Sequence, residues 1–124
     1  FGGNPLAMRS ANAVLELLLE NDFLSNLRKM IVYFDKKMDE LIKNDMKNDP
    51  IIFAKKGSGM LRGFQLNEDV TAGDFSNIAR EKSLLLVGAA ENTIRLLPPL
   101  NTSKEEVDNA FDILNDIVLE LKKT

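Results

Sequence analysis

Asn92-Thr93-Ile94-Arg95-Leu96-Leu97-Pro98-Pro99-Leu100 is an apolar segment with one permanent cation in its middle and two prolines near its end. Successive side chains of a strand point to opposite faces, so Arg95 faces away from Ile94 and Leu96. Proline has no amide hydrogen to donate to a neighbouring strand. The segment therefore predicts a strand over residues 93–97 that ends at Pro98 and carries Arg95 on the face opposite its apolar neighbours.

Arg95 has two interpretations. A guanidinium at the end of a sheet strand is a candidate anion-binding group, because its planar donor fork fits a carboxylate or phosphate with two parallel hydrogen bonds. Most strand arginines instead lie on a solvated face or pair with a nearby Asp or Glu. The spacing alone favours this second interpretation.

The composition limits the function classes that the chain can serve. At 124 residues it is one domain or a piece of one, and 44% apolar with 28% charged residues is typical of a globular protein. A net charge of −3 gives no electrostatic reason to expect nucleic acid or an anionic membrane as a partner. No apolar run approaches the roughly 20 residues of a membrane span.

The chain contains no cysteine and no histidine. This excludes disulfides, thiolate zinc sites and cysteine nucleophiles within it, and it removes the commonest general base. The lack of cysteine fits a reducing, cytoplasmic location. Because the first residue is Phe1 rather than Met, we expect the chain to begin within a longer polypeptide.

Two leading helices are predicted over residues 1–45. Asn4 and Pro5 are favoured at the N-cap and the first helical position, and the helix should end near Glu20. Its leucines lie on several faces, which predicts burial on more than one side. Asn21 or Asp22 should cap the second helix, whose buried stripe is predicted to consist of Phe23, Leu27, Met30, Phe34, Met38 and Leu41.

Residues 46–124 alternate between strands and helices. Strands are predicted at 51–55, 60–66, 84–87 and 93–97, with turns at 56–59 and 88–92. A short helix should start at Thr71 or Asp74, and Ser103 with Glu106 forms a capping box for the last helix. The order α-α-β-β-α-β-β-α predicts an α+β fold, in which a small, mostly antiparallel sheet has helices packed on one face.

Three stretches, in this order and spacing, resemble class III pyridoxal-phosphate-dependent aminotransferases: Phe1-Gly2-Gly3-Asn4-Pro5-Leu6-Ala7, Gly57-Ser58-Gly59-Met60-Leu61-Arg62-Gly63 and Ile94-Arg95-Leu96-Leu97-Pro98-Pro99-Leu100-Asn101. The resemblance implies that the chain is the C-terminal third of a larger enzyme. It would be the small domain of a fold-type I transferase, preceded by two helices. Two local departures from the family pattern are Met60-Leu61 and Ser83.

The resemblance also implies a site. The cofactor pyridoxal 5'-phosphate would be held by a lysine upstream of this chain, which itself would supply no catalytic residue and would be inactive alone. Gly2, Gly3 and Asn4 would shape the cofactor end of a site formed at a homodimer interface. Arg95 matches the arginine that binds the substrate α-carboxylate in the family.

Within the family, the resemblance favours transfer of an amino group between N-acetylornithine and 2-oxoglutarate in arginine biosynthesis. Ornithine, succinylornithine and 4-aminobutyrate are the alternative amino donors. An alternative from another class is a non-catalytic module that binds a small carboxylate at Arg95 or mediates dimerisation. No metal is implied.

Overall fold

The computed structural model describes residues 1–123, which form helices and strands in the predicted order. The helices are α1 (Pro5–Leu19), α2 (Phe23–Asp45), α3 (Ala72–Glu81) and α4 (Lys104–Leu121). The strands are β1 (Ile52–Ser58), β2 (Leu61–Leu66), β3 (Val87–Ala89) and β4 (Thr93–Leu96).

The four strands form one sheet in the order β1-β2-β4-β3, and every neighbouring pair is antiparallel. Helices α2, α3 and α4 cover one face of this sheet, which confirms the predicted α+β class. Along β2, Arg62, Phe64 and Leu66 point into the core. The core also contains Phe34, Met38, Leu41, Ile52, Phe75, Ala79, Ile94, Leu96, Val107, Phe111, Leu114, Ile117 and Val118.

Side-chain caps begin three of the helices, as predicted. Asn4 Oδ1 accepts a hydrogen bond from the Leu6 amide at 2.9 Å, and Thr71 Oγ1 accepts one from the Asp74 amide at 3.0 Å. Ser103 and Glu106 form the predicted capping box. Asp22, one of the two residues predicted to cap α2, lies at its N-cap, but its side chain makes no cap hydrogen bond.

The predicted burial of α1 on several sides is wrong for residues 1–123. No residue of α1 is buried, and its main packing partner is α2. The leucines at its two ends, Leu6 and Leu19, are 76% and 75% exposed. The apolar pattern of α1 therefore marks a surface that the described residues do not cover.

The β1–β2 turn lies further along the chain than predicted. β1 runs on to Ser58, which pairs with Leu61, so the hairpin loop is Gly59 and Met60. Gly57 has φ +82°, and a Cβ there would lie 2.3 Å from the carbonyl oxygen of Leu61. Only glycine fits this position without strain, which lets the strand continue through a sequence that looks like a turn.

The strand predicted at 84–87 is observed at Val87–Ala89. Ser83 adopts a left-handed conformation with φ 64° after α3, and the Leu84 amide bonds back to the Ala79 carbonyl at 2.8 Å. Leu84 and Leu86 then pack against the core from an irregular segment. The apolar run is therefore a packed connection, and the strand begins after it.

A buried ion pair joins three elements at one end of the fold. The Asp45 carboxylate accepts hydrogen bonds from the amides of Ile51 at 3.2 Å and Ile52 at 2.7 Å. Lys122 Nζ lies 2.8 Å from the same carboxylate, which is fully buried. The end of α2, the start of β1 and the end of α4 are thereby tied together.

The division into leading helices over 1–45 and an α+β domain over 46–124 stays a prediction.

Candidate functional site

The sheet face opposite helices α2, α3 and α4, here called the open face, carries Arg95. Strand pairing places Lys56 opposite Gly63, Gly63 opposite Arg95, and Arg95 opposite Val87. Directly opposed residues point to the same face, so these four residues form one row across the sheet. Leu61 and Leu97 flank the row on the same face and are more than half exposed.

Arg95 has the orientation that the sequence predicts. Its neighbours Ile94 and Leu96 are buried in the core, whereas Arg95 is exposed. No carboxylate among residues 1–123 forms an ion pair or hydrogen bond with its guanidinium. Within this part of the chain, Arg95 is therefore available to bind an anion.

Gly63 lies next to Arg95 on the open face and forms the floor of a shallow depression there. A Cβ built on it would lie 2.8 Å from Thr93 Cγ2 and 3.0 Å from the carbonyl oxygen of Ile94. The backbone and side chain of β4 thus approach Gly63 closely, which is one reason for a glycine inside a strand. The row has no side chain between Lys56 and Arg95, and a shallow depression of about 420 Å³ lies there.

Lys56 and Glu91 form an ion pair on the open face. Glu91 lies in the turn between β3 and β4, and its hydrogen bond from Lys56 lowers the pKa of its carboxyl below the ordinary value. Sequence reasoning missed both residues as site candidates. Alternation along β1 suggests which residues share a face, but only the pairing register places Lys56 in the row of Arg95.

Arg62, the charged residue between Gly57 and Gly63, has a structural role. Arg62 lies on the covered face, where its guanidinium pairs with Asp35 of α2. Lys55 Nζ also lies 3.1 Å from Asp35, and this hydrogen bond is the main reason that the pKa of Asp35 is lowered. These contacts hold α2 against the sheet and are not directed towards Arg95.

The candidate cofactor residues Gly2, Gly3 and Asn4 are exposed at the start of α1. Gly3 has φ 78°, and a Cβ at either glycine would meet no atom within 4 Å. The N-terminus of a helix offers amide donors and a partial positive charge to an anion. None of these residues lines the depression at Arg95, so the described structure does not bring the two candidate groups together.

Residues 1–123 contain no cluster of three or more acidic, histidine or cysteine ligands for a metal ion. They also include no helix with the length and hydropathy of a membrane span.

Comparisons with known proteins agree on one family. The family model "aminotransferase class-III" matches residues 1–118. Acetylornithine aminotransferase 1 of Bradyrhizobium diazoefficiens is 34% identical over 110 residues, which are 89% of this chain and 26% of that protein. Acetylornithine aminotransferase 2 of Caulobacter vibrioides is 38% identical over 111 residues, which are 90% of this chain and 26% of that protein.

Solved structures show the same relationship. The crystal structure of acetylornithine aminotransferase from Elizabethkingia anophelis matches with a TM-score of 0.83 and 29% identity. The match covers 97% of this chain and 31% of that one. The chain thus spans between a quarter and a third of the length of these three proteins.

Proposed function

Because the chain belongs to the class III aminotransferases, we propose that it is part of a pyridoxal-phosphate-dependent aminotransferase in which Arg95 binds a substrate α-carboxylate. The observation that carries this proposal is the position of Arg95 on the open face. It is exposed, lies beside a glycine floor, and pairs with no carboxylate among residues 1–123. A guanidinium in this position can form two parallel bonds to a carboxylate.

The α-carboxylate clamp has a mechanistic purpose. Transamination of a 2-oxo acid changes the bonds at the carbon next to its carboxylate. Two parallel hydrogen bonds from Arg95 fix the direction of that carbon, and such orientation lowers the entropic part of the barrier. Because the Arg95 backbone is held by ladders on both sides, the guanidinium starts from a rigid strand.

The start of α1 fits the phosphate end of the cofactor. Gly2 and Gly3 leave space for a close backbone approach, and Asn4 caps the helix and leaves amides at its positive end. When bound, pyridoxal phosphate supplies the electron sink for bond cleavage at the substrate carbon. Gly2, Gly3 and Asn4 would contribute to binding it, and the lysine that holds it would lie upstream. The isolated chain would therefore be inactive.

The substrates that we propose are N-acetylornithine as amino donor and 2-oxoglutarate as acceptor, in arginine biosynthesis. The names of the relatives from Bradyrhizobium and Caulobacter support the donor. Ornithine, succinylornithine and 4-aminobutyrate remain the alternative donors. The complete enzyme would be a homodimer, because α1 leaves apolar surface uncovered. The absence of cysteine supports a cytoplasmic location.

Replacing Arg95 with alanine in the complete enzyme tests this function. We expect the cofactor's visible absorption to be unchanged and the KM for 2-oxoglutarate to rise, because losing one partner of a charged pair costs about 2–5 kcal/mol. That range corresponds to a rise of roughly 30-fold or more. Steady-state kinetics with varied 2-oxoglutarate measures it.

Arg80→Ala is the matched control, because Arg80 is an exposed arginine on α3 whose guanidinium, among residues 1–123, bonds only to Asn77. It should leave the KM for 2-oxoglutarate unchanged. If the Arg95→Ala enzyme binds 2-oxoglutarate as well as the unaltered enzyme, Arg95 is not the α-carboxylate ligand.

A further inference from the structure

Asn92 precedes β4 and is held in place by three side-chain hydrogen bonds. Its Oδ1 accepts from the Ala72 amide at 2.8 Å, and its Nδ2 donates to the carbonyl oxygens of Asn67 and Val70, each at 2.8 Å. Its backbone carbonyl also accepts from the Leu66 amide at 2.9 Å. One half-buried residue therefore ties the start of β4 to the end of β2, to the β2–α3 connection and to the first turn of α3.

The side-chain amide of Asn92 matches the groups around it. The Ala72 amide is the first of α3 and has no acceptor within the helix, so Oδ1 supplies one. The two carbonyl oxygens of the β2–α3 connection accept from Nδ2, which carries two hydrogens. Asn92 also has φ 50°, a left-handed conformation that asparagine adopts more readily than most other residues. The hydrogen bonds and the backbone conformation thus both favour asparagine at this position.

The direction of the Arg95 side chain depends on the backbone of β4. On one side Arg95 lies opposite Gly63, which has no side chain to pack against it. On the other side it lies opposite Val87 of the edge strand β3, which is only three residues long. Contacts between opposed side chains, which help to hold side chains on a sheet, are therefore reduced at Arg95. Since β4 itself has only four residues, an anchor at its start has a large influence on its register.

We propose that Asn92 is a positioning residue for substrate binding, because its side-chain amide holds the start of β4 in the register that directs the Arg95 guanidinium to the substrate α-carboxylate. This inference rests on the proposed function of Arg95. Asn92 does not line the depression at Arg95, so it acts through the strand and not by contact with the substrate. A misplacement of the guanidinium by about 1 Å is enough to lower the rate by up to roughly 100-fold.

Asn92→Gly in the complete enzyme is the test. Glycine adopts a left-handed backbone without strain, so this change removes the three side-chain bonds and adds no backbone strain. We expect kcat/KM for 2-oxoglutarate to fall about 10- to 100-fold, while the visible absorption of the cofactor stays unchanged. Asn92→Asp is a second variant, which keeps the acceptor for the Ala72 amide and loses both donors. It should lower kcat/KM for 2-oxoglutarate as well, because two of the three bonds are lost.

The same change in an Arg95→Ala enzyme separates positioning of Arg95 from a general loss of stability. If Asn92 acts through Arg95, its side chain has nothing left to position once the guanidinium is gone. Asn92→Gly should then lower kcat/KM for 2-oxoglutarate by less than about 2-fold in the Arg95→Ala enzyme. A role in stability alone would lower kcat/KM by the same factor with and without Arg95.

Asn115→Gly is the matched control, because the Asn115 amide donates to the Phe111 carbonyl at 2.8 Å within α4, on the covered side of the sheet. Glycine weakens the helix, yet kcat/KM for 2-oxoglutarate should not change. Equal losses with and without Arg95, or an Asn92→Gly enzyme as active as the unaltered one, would overturn the positioning role and leave the proposed function intact. An unchanged KM for 2-oxoglutarate in the Arg95→Ala enzyme would instead overturn the proposed function, and the inference with it.

Discussion

Ser83 is a residue held in a conformation that its side chain disfavours. It follows α3 with φ 64°, and its amide bonds to the Arg80 carbonyl at 3.0 Å while the Leu84 amide bonds to the Ala79 carbonyl at 2.8 Å. This pair of bonds is a Schellman motif, whose left-handed position is usually glycine. The departure of Ser83 from the family pattern therefore has a backbone cost.

Ser83→Gly should stabilise the 124-residue chain. Relief of the left-handed strain gains about 1–2 kcal/mol, and the greater freedom of glycine in the unfolded chain takes back about 0.4–1 kcal/mol. A net gain of about 0.5–1 kcal/mol should raise the thermal midpoint by a few degrees. Thermal unfolding followed by circular dichroism measures the change.

Ser83→Ala is the control for this prediction. Alanine keeps the Cβ that causes the strain, so the thermal midpoint should stay close to that of the unaltered chain. A glycine variant no more stable than the alanine variant would show that the left-handed position carries no strain.

The single-residue predictions of the site were partly accessible from the sequence. Alternation around Arg95 gave its face correctly. Lys56 and Glu91 were missed because alternation within one strand does not say which residue of the next strand lies opposite. That register depends on the loop length and on the bulge after Ile52, which are properties of the folded hairpin.

Among the elements, helices were predicted better than strands for a physical reason. Helix starts are encoded locally by caps such as Asn4, Thr71 and Ser103, whose side chains bond within three residues. Strand ends depend on partners that lie elsewhere in the chain. The run at 84–87 has the composition of a strand, yet Leu84 and Leu86 pack against the core, Leu85 is exposed, and pairing begins only at Val87.

The buried Asp45–Lys122 pair joins elements, and its loss should affect the whole core. Asp45→Asn in the 124-residue chain should lower the free energy of unfolding by about 3–5 kcal/mol, because Lys122 would be left with an unpaired, largely buried charge. Chemical denaturation measures this loss. The exposed Asp116→Asn should change stability by no more than about 0.5 kcal/mol.

The pairing itself is tested by adding Lys122→Met to Asp45→Asn. Since the second change removes the unpaired charge, the double variant should be more stable than the sum of the two single changes predicts. Additive effects would mean that the two side chains do not interact.

At the scale of the whole molecule, the two leading helices differ in their relation to the core. α1 has no buried residue, whereas α2 contributes Phe34, Met38 and Leu41. Phe34 packs edge-to-face on Phe111 of α4, with ring centroids 5.2 Å apart. The same apolar composition thus has two outcomes among residues 1–123: α2 contributes side chains to the core, and the apolar side chains of α1 stay exposed. Composition alone cannot separate them, because burial depends on the tertiary contacts that each helix makes.

Two truncations test this difference and the predicted division at residue 45. Removing residues 1–21 should leave the thermal midpoint nearly unchanged and reduce self-association in sedimentation velocity, because the exposed leucines of α1 are lost. Removing residues 1–45 should abolish cooperative unfolding. Each of the three core side chains of α2 contributes about 1.5–3 kcal/mol on burial, and their sum is comparable to the whole stability of a small domain. If residues 46–124 instead unfold cooperatively at the same temperature, the α+β domain begins after α2 and the contact between Phe34 and Phe111 is dispensable.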